Sequence, residues 1–423
     1  MSYNRTNITT LDQVCEVIDS LHKSPKYVES GYPMIRVKDM FQGYLKIDNP
    51  AYVTKEVYEE FTRKHKPKKG DILFSRVGSY GITTFVHKDI DFCLGQNTVV
   101  MTNYNNEIID NIFLYYMLIS NIVKEQIEKL VTGSTQKTIS MKSIKGLELP
   151  LPNITEQKAI ANILSSLDDK IELNNQMNET LEEMAQALFK RWFVDFEFPN
   201  EEGQPYKSSG GEMIESELGM IPRNWICSNI FDNITEYSKK NKESHNYPVL
   251  SVTKESKFLL SSELFSNETY EFYDRTVFSK KIKNYKIIYK NSVGYNPSRA
   301  NIGSIAMLED YEIGVISPIY KVFSIDDTML LSFFRYYMKL DNFIMKIKHY
   351  SSGTTRQNFD IECFKYFDIV LPPKKIQEDF ENIIDKFKRQ IKKNENENYI
   401  LENLRDALLP KLMSGEIRVS DLN

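Results

Sequence analysis

The sequence predicts an α+β protein written twice, each copy a mixed strand-and-helix domain followed by one long helix. Three observations predict it. Adding 220 to a position pairs Phe113 with Phe333, Tyr116 with Tyr336, Gly133 with Gly353, Thr135 with Thr355, Pro152 with Pro372 and Gln157 with Gln377, with no gap. The same shift continues through two apolar-periodic stretches, so that Ile171 falls on Ile391, Leu181 on Leu401 and Ala187-Leu188 on Ala407-Leu408. Ahead of each periodic stretch lie roughly 150 residues, a length that suits one domain.

Within each domain the elements follow from local pattern. The β-branched and aromatic runs "DILFSRV", "ITTFVH" and "NTVVMT" predict strands in the first copy. A helix is predicted over about 111–130 and again over about 328–349, then a polar Gly-Ser-Thr loop, then an apolar strand ending in "LPLP" or "LPP". The prolines stop that strand and start the long helix. Upstream the two copies match more loosely: "YPMIRV" (32–37) resembles "YPVLSV" (247–252), and "FSRVGSYG" (74–81) resembles "PSRANIG" (297–303). The predicted organisation is a domain over 1–154, a helix over 155–198, a Gly/Ser/Glu-rich connector over 199–217, a second domain over 218–373, a second helix over 374–414 and a tail over 415–423.

The long helices carry a coiled-coil seam with two interruptions. Ile160, Leu164, Leu167 and Ile171 alternate steps of four and three, and the pattern resumes at Leu181, Ala185, Leu188 and Trp192. Between the runs the seam positions are Asn174 and Asn178, which the repeat places on Asn394 and Asn398. A compact second domain returns the chain near its starting point, so the helices are expected to run antiparallel, residue i facing residue 572 − i. That register sets Asn174 against Asn398, Asn178 against Asn394, Ile160 against Leu412 and Trp192 against Phe380, with Leu167 opposite Arg405 as the one imperfection. A buried amide is satisfied only by another polar group, so the four asparagines would fix register at some cost in stability. The alternative is that they face solvent or a partner.

Composition excludes several classes. The net charge of −4 is unevenly spread: residues 155–217 hold 5 Lys+Arg against 14 Asp+Glu, while 1–154 hold 19 against 17 and 218–373 hold 20 against 17. The two domains are therefore mildly basic, which permits nucleic-acid binding. The longest apolar run, around 112–119, is too short to span a bilayer, and the first ten residues lack an apolar signal core, so the cytoplasm is the expected location. Cys15, Cys93, Cys227 and Cys363 are far apart and expected to be reduced. The five histidines show no metal-ligand spacing, no GxxxxGK[ST] phosphate loop is present, and "GYNPSR" (294–299) lacks the second proline of a base-methylating clamp.

Several blocks resemble one family. "LPLPNITEQKAIANILSSLDDKIELNNQ", "ALFKRWFVDF", "ELGMIPRNW", "GDILFSR" and the "SGEI" near the end are similar to the specificity subunit of Type I restriction-modification enzymes, in order and over essentially the whole chain. The first copy departs from the pattern by lacking the Leu218, Gly219, Pro222 and Trp225 set that opens the second. The resemblance implies two target recognition domains with a pseudo-two-fold relation, each reading half of a bipartite site in double-stranded DNA, and two antiparallel spacer helices that set the gap. It implies no catalysis by this chain and no cofactor bound to it. The chemistry would lie in two methyltransferase subunits using S-adenosylmethionine and in two restriction subunits using ATP and Mg. The rival classes are a single-chain methyltransferase or nuclease with fused recognition domains, and a coiled-coil adaptor that never touches DNA.

Candidate contacts follow. Arg76 and Arg299 occupy similar strand-to-loop positions and are candidate base readers, or else ion pairs or phosphate contacts; Ser75, Ser79, Tyr80, Ser298 and Asn301 lie beside them. The basic clusters with Lys66, Lys68 and Lys69, and with Lys280, Lys281 and Lys283, suit phosphates, or are solvated faces. Gln136, Lys137, Thr355, Arg356 and Gln357 tip the polar loops, whose Gly133 and Gly353 are expected to cap the preceding helix. Phe193, Phe196 and Phe198 are expected to dock a methyltransferase subunit, with Trp192 in the core.

Overall fold

Two buried glutamines make the same contacts in each copy of the repeat, 220 residues apart. The Gln157 amide donates to the carbonyls of Ile108 and Pro152 at 2.9 Å each, and its oxygen accepts the Asp110 N–H at 3.0 Å. Gln377 donates to Thr328 and Pro372 at 3.0 and 3.1 Å and accepts the Leu330 N–H at 2.8 Å. Every partner is shifted by 220. Each glutamine is 1% exposed, so it ties the first turn of a long helix to the backbone leading into the helix of Phe113 or Phe333. Leaving those buried backbone groups unpaired would cost about 1–3 kcal/mol each.

The computed structural model describes residues 8–133, 136–264, 282–351 and 358–419. It divides into two units, Met1–Gln176 with Lys393–Asn423, and Met177–Lys392, so each unit takes part of both long helices, Ile154–Phe189 and Lys374–Ser414.

In the first unit a five-stranded sheet runs in the order Glu16–Asp19, Thr98–Thr102, Ile72–Ser75, Thr83–Phe85, Gly43–Tyr44. A three-stranded sheet of Ala51–Val53, Tyr32–Ile35 and Cys93–Leu94 joins it, and Ile8–Thr10 pairs with Glu148–Pro150. The helix expected over about 111–130 is two helices, Asn111–Ile119 and Asn121–Leu130. Ser120 between them is extended, and its hydroxyl donates to the Met117 carbonyl at 2.7 Å, closing the first helix. Both helices pack on the sheet with Ile160, Leu164 and Leu412 in one core.

The second unit repeats this plan. Its four-stranded sheet has the order Ile234–Glu236, Lys321–Ile325, Val293–Tyr295, Ile305–Met307. Ile226–Asn229 pairs with Asp368–Leu371, the counterpart of the pairing between Ile8–Thr10 and Glu148–Pro150. Here too the expected single helix is two, Leu331–Tyr337 and Asp341–Tyr350. Leu188, Trp192, Phe380 and Ile384 share its core, and the Trp192 and Phe380 rings lie 5.9 Å apart.

Within the first unit the helix segments run antiparallel in the expected register. The Asn174 amide donates to Asn398 at 2.9 Å, and Asn398 donates to Asn175 at 2.9 Å. Asn174 also donates to Glu397 (2.9 Å) and accepts from Lys170 (2.8 Å). The imperfection at Arg405 is resolved one residue away: its guanidinium pairs with Asp168 at 2.6 Å, and Asp168 also accepts the Tyr116 hydroxyl at 2.5 Å. Asn178 and Asn394 fall in different units, Asn394 buried and Asn178 half-buried.

The amide pair predicts a non-additive pair of substitutions. Asn174→Leu alone should lose about 1–3 kcal/mol by stranding the Asn398 amide, whereas Asn174→Leu with Asn398→Leu should regain that loss or exceed the parent. Urea unfolding of the purified chain measures both, and a single variant as stable as the parent would contradict the pairing.

Candidate nucleic-acid interface

Strand direction brings the loops of each unit to one edge. In the first unit Glu16–Asp19 and Ile72–Ser75 both pair antiparallel with Thr98–Thr102, which lies between them, so they point the same way. The segment after Asp19 and the loop after Ser75 therefore leave the sheet together. The second loop turns on Gly78 and Gly81, both at positive φ. It is zipped to the segment 136–139: the Gly78 N–H donates to the Lys137 carbonyl and the Ile139 N–H to the Arg76 carbonyl, both at 3.0 Å. Two loops far apart in sequence thus form one surface. On it Gln136 and Lys137 are exposed, the Lys137 ammonium lies 5.7 Å from the Tyr80 ring centre, and the Tyr80 hydroxyl donates to Glu128 at 3.0 Å.

Several expectations change here. Arg76 is ion-paired with Asp19 and its Nε donates to the Ile139 carbonyl at 3.4 Å, so its guanidinium serves the fold. Ser75 is fully buried; its hydroxyl donates to the Ser79 carbonyl at 2.5 Å and accepts the Ile82 N–H at 2.9 Å, which removes it from any DNA surface. Ser79 is half-buried in the same turn. Gly133 does not cap the helix, which ends on the extended Val131. Its φ of 102° instead makes the loop's own turn, where a Cβ would meet the Gln136 carbonyl oxygen at 2.4 Å. Lys66, Lys68 and Lys69 are exposed. Lys66 pairs with Asp91 at 2.7 Å, and that hydrogen bond raises its pKa.

The second unit uses the same edge. Ile234–Glu236 and Val293–Tyr295 flank Lys321–Ile325 antiparallel, so again their ends point together. The Phe359 N–H donates to the Pro297 carbonyl at 3.0 Å, as that of Ile139 does to Arg76. The backbone counterpart of Arg76 is therefore Pro297, and the pairing of Arg76 with Arg299 expected from sequence is corrected. Arg299 lies two residues further on, exposed, ahead of the short turn Ala300–Ile302. Among the described residues its guanidinium has no ion-pair partner. Gly303 closes that turn at φ 98°, where a Cβ would lie 2.2 Å from the Lys254 carbonyl oxygen. The Ser298 hydroxyl donates to Asn358 at 2.6 Å, Asn301 is half-buried and Lys283 is exposed. Lys280, Lys281, Thr355, Arg356, Gln357 and Gly353 lie outside the described residues.

The aromatic cluster belongs to the core. Phe193 meets Phe333 and Phe380 edge-on at 4.9 and 5.0 Å, and Phe198 stacks on Trp225 at 5.1 Å. Both are buried in the second unit, so the expectation that they dock a partner is corrected. The cause is a reversal of the chain after the helix: one π turn, Lys190–Val194, then Phe196 at φ 62°, half-buried edge-on to Trp225 at 5.3 Å. Exposed apolar side chains occur elsewhere, on the helix segments of the first unit: Leu173, Tyr399, Ile400 and Leu404. The available signal was apolar residues off the seam, in "NENENYILENL".

A family profile described as the Type I restriction modification DNA specificity domain matches residues 6–183. The MjaIX specificity subunit of a Type I restriction enzyme from Methanocaldococcus jannaschii is 29% identical over 323 residues, covering 73% of this chain and 70% of its own. The HindI specificity subunit from Haemophilus influenzae is 27% identical over 412 residues, covering 83% and 87%. Among solved structures, the S subunit of a Type I restriction-modification system from M. genitalium aligns with a TM-score of 0.50 at 15% identity, covering 97% of this chain and 98% of its own, a likeness of fold.

The burial of Phe193 predicts a stability effect rather than a binding effect. Phe193→Ala should lower the stability of the isolated chain by about 3–5 kcal/mol, as truncation of a core aromatic does. Thermal unfolding without any partner checks it; an unchanged midpoint would contradict the placement.

Proposed function

Because the chain belongs to the Type I restriction-modification DNA specificity family, we propose that it is the DNA-reading subunit of such a complex, each unit reading one half of a bipartite duplex target. One observation carries this: in each unit the loop after the second of two co-directed strands is hydrogen-bonded to the segment ahead of the last strand, giving a polar surface at one sheet edge. Gln136 and Lys137 in the first unit and Arg299 in the second are the exposed donors there. Such loops on a rigid sheet suit contacts to base edges, which specify, beside contacts to phosphates, which position.

The long helices would set the gap between half-sites. From 160 to 192 is about 48 Å of helix at 1.5 Å per residue, and a duplex turn is about 34–36 Å. The chain itself would be non-catalytic. Methyl transfer to adenine would be carried out by two methyltransferase subunits holding S-adenosylmethionine, and cleavage by two restriction subunits using ATP and Mg. Leu173, Tyr399, Ile400 and Leu404 offer an apolar face for docking the methyltransferases, replacing the buried phenylalanines in that role. We place the complex in the cytoplasm with its DNA; among the described residues no helix is long and apolar enough to cross a membrane.

A heptad inserted into each long helix at matched levels adds about 10 Å. The expected result is a methylated motif with both half-sites unchanged and the gap longer by about three base pairs. Mapping methylated adenines in a host carrying the altered chain and its partners measures it, and an unchanged gap would count against the spacer role.

A further inference from the structure

Each unit carries a cationic groove at the same topological place, beside the loop surface. In the second unit the groove is ≈ 630 Å³ and lies between the segment after Glu236 and the strand Lys286–Tyr289; Lys239, Lys240, Lys242 and His245 line it. In the first unit it is ≈ 280 Å³ and lies after Asp19, lined by Ser20, Lys23, Arg63 and Lys64. These two segments are counterparts: each follows the first of the two co-directed strands whose second member leads into the loop. The sequences 20–23 (SLHK) and 238–242 (SKKNK) share only their first serine and last lysine, so strand direction rather than sequence reveals the correspondence.

We propose that the two grooves are phosphate clamps, which hold duplex DNA by its phosphodiesters without regard to sequence while the adjoining loops meet the bases. This rests on the DNA-reading function above and adds the residues that grip the backbone. Three features support it in the second unit. The lysine-bearing turn is rigidly presented: buried Asn241 donates to the His245 carbonyl at 2.8 Å, accepts the His245 N–H at 3.1 Å and is itself held by its N–H to Tyr285 at 2.9 Å. Its charge is unspent: Lys240 and Lys242 are exposed and, among the described residues, have no ion-pair partner. The one acid lining the groove, Glu243, is held in a hydrogen bond with the His245 ring at 2.7 Å. Lys239 donates to the Tyr289 hydroxyl at 2.8 Å, which fixes its ammonium at the groove's wall.

The first unit answers its own acids similarly. Asp19 is paired with Arg76 and with His22 at 3.1 Å, and Glu60 with Lys23, which leaves Arg63 and Lys64 without ion-pair partners among the described residues. Lysine suits the role, because a flexible point charge follows a phosphate without demanding a particular base beside it.

The test uses the full chain assembled with its methyltransferase partners. Binding to the target duplex and to a scrambled duplex is measured across a salt series, for the parent and for Lys239→Gln/Lys240→Gln/Lys242→Gln. Each phosphate contact contributes about 0.9 to the slope of log affinity against log salt. The expected result is a slope shallower by about 2–3 and weaker binding to both duplexes by the same factor, with Arg63→Gln/Lys64→Gln giving about 1–2. The triple Lys→Arg variant should keep the parental slope, which separates lost charge from lost fold. An unchanged slope in the Gln variants, or an altered target-to-scrambled ratio at unchanged slope, overturns the clamp. A parent complex that does not distinguish the two duplexes would instead overturn the DNA-reading function, whatever the slopes do.

Discussion

A polar pair in an apolar seam is the constraint on which the rest depends. Leucines at Asn174 and Asn398 would bind the helix segments more tightly, yet would accept neighbouring registers almost equally well. The amides do not: away from each other they meet aliphatic side chains and lose their hydrogen bonds. Next to them Arg405 and Asp168 add a second directional contact. Burial disfavours the Arg405 charge, and the hydrogen bond and attraction of Asp168 outweigh it, so the guanidinium's pKa is raised. Register is thus written in hydrogen bonds and an ion pair, while strength comes from the apolar layers on either side.

The repeat then divides labour within each unit. Gln157 and Gln377 each anchor the first turn of a long helix to its own domain. The sheet sends two co-directed strand ends to one edge, one carrying the loop surface and the other the cationic groove. Duplication preserves this frame and lets the loop side chains diverge: Arg76 is consumed by an ion pair in one unit, while Arg299 in the other is exposed and has no ion-pair partner among the described residues.

What the sequence revealed, and what it hid, follows from the range of the interactions involved. The 220-residue shift is uninterrupted where buried groups must pair, as at Gln157 and Gln377, and the seam is legible because its period is local and its amides must match. The pairing of Arg76 with Arg299 failed because the loops are solvated and free to gain a residue: in backbone terms Arg76 matches Pro297, a shift of 221. Phe193 and Phe198 misled because an aromatic run at a helix end looks like surplus surface until the π turn folds it back onto Trp225. Lys239, Lys240 and Lys242 were invisible as a site, since nothing in their pattern tells that strand direction sets them beside a loop some sixty residues later.

The claim that most needs testing is that the spacer imposes a fixed distance between the two halves of the target. The direct measurement is the affinity of the assembled complex for a series of duplexes carrying both half-sites at every gap over one helical turn. A single preferred gap, with affinity falling at least about tenfold one or two base pairs to either side, is the predicted result. Equal affinity across the series would mean that the two units reach their half-sites independently, and the constraint imposed by the paired amides would have no bearing on recognition.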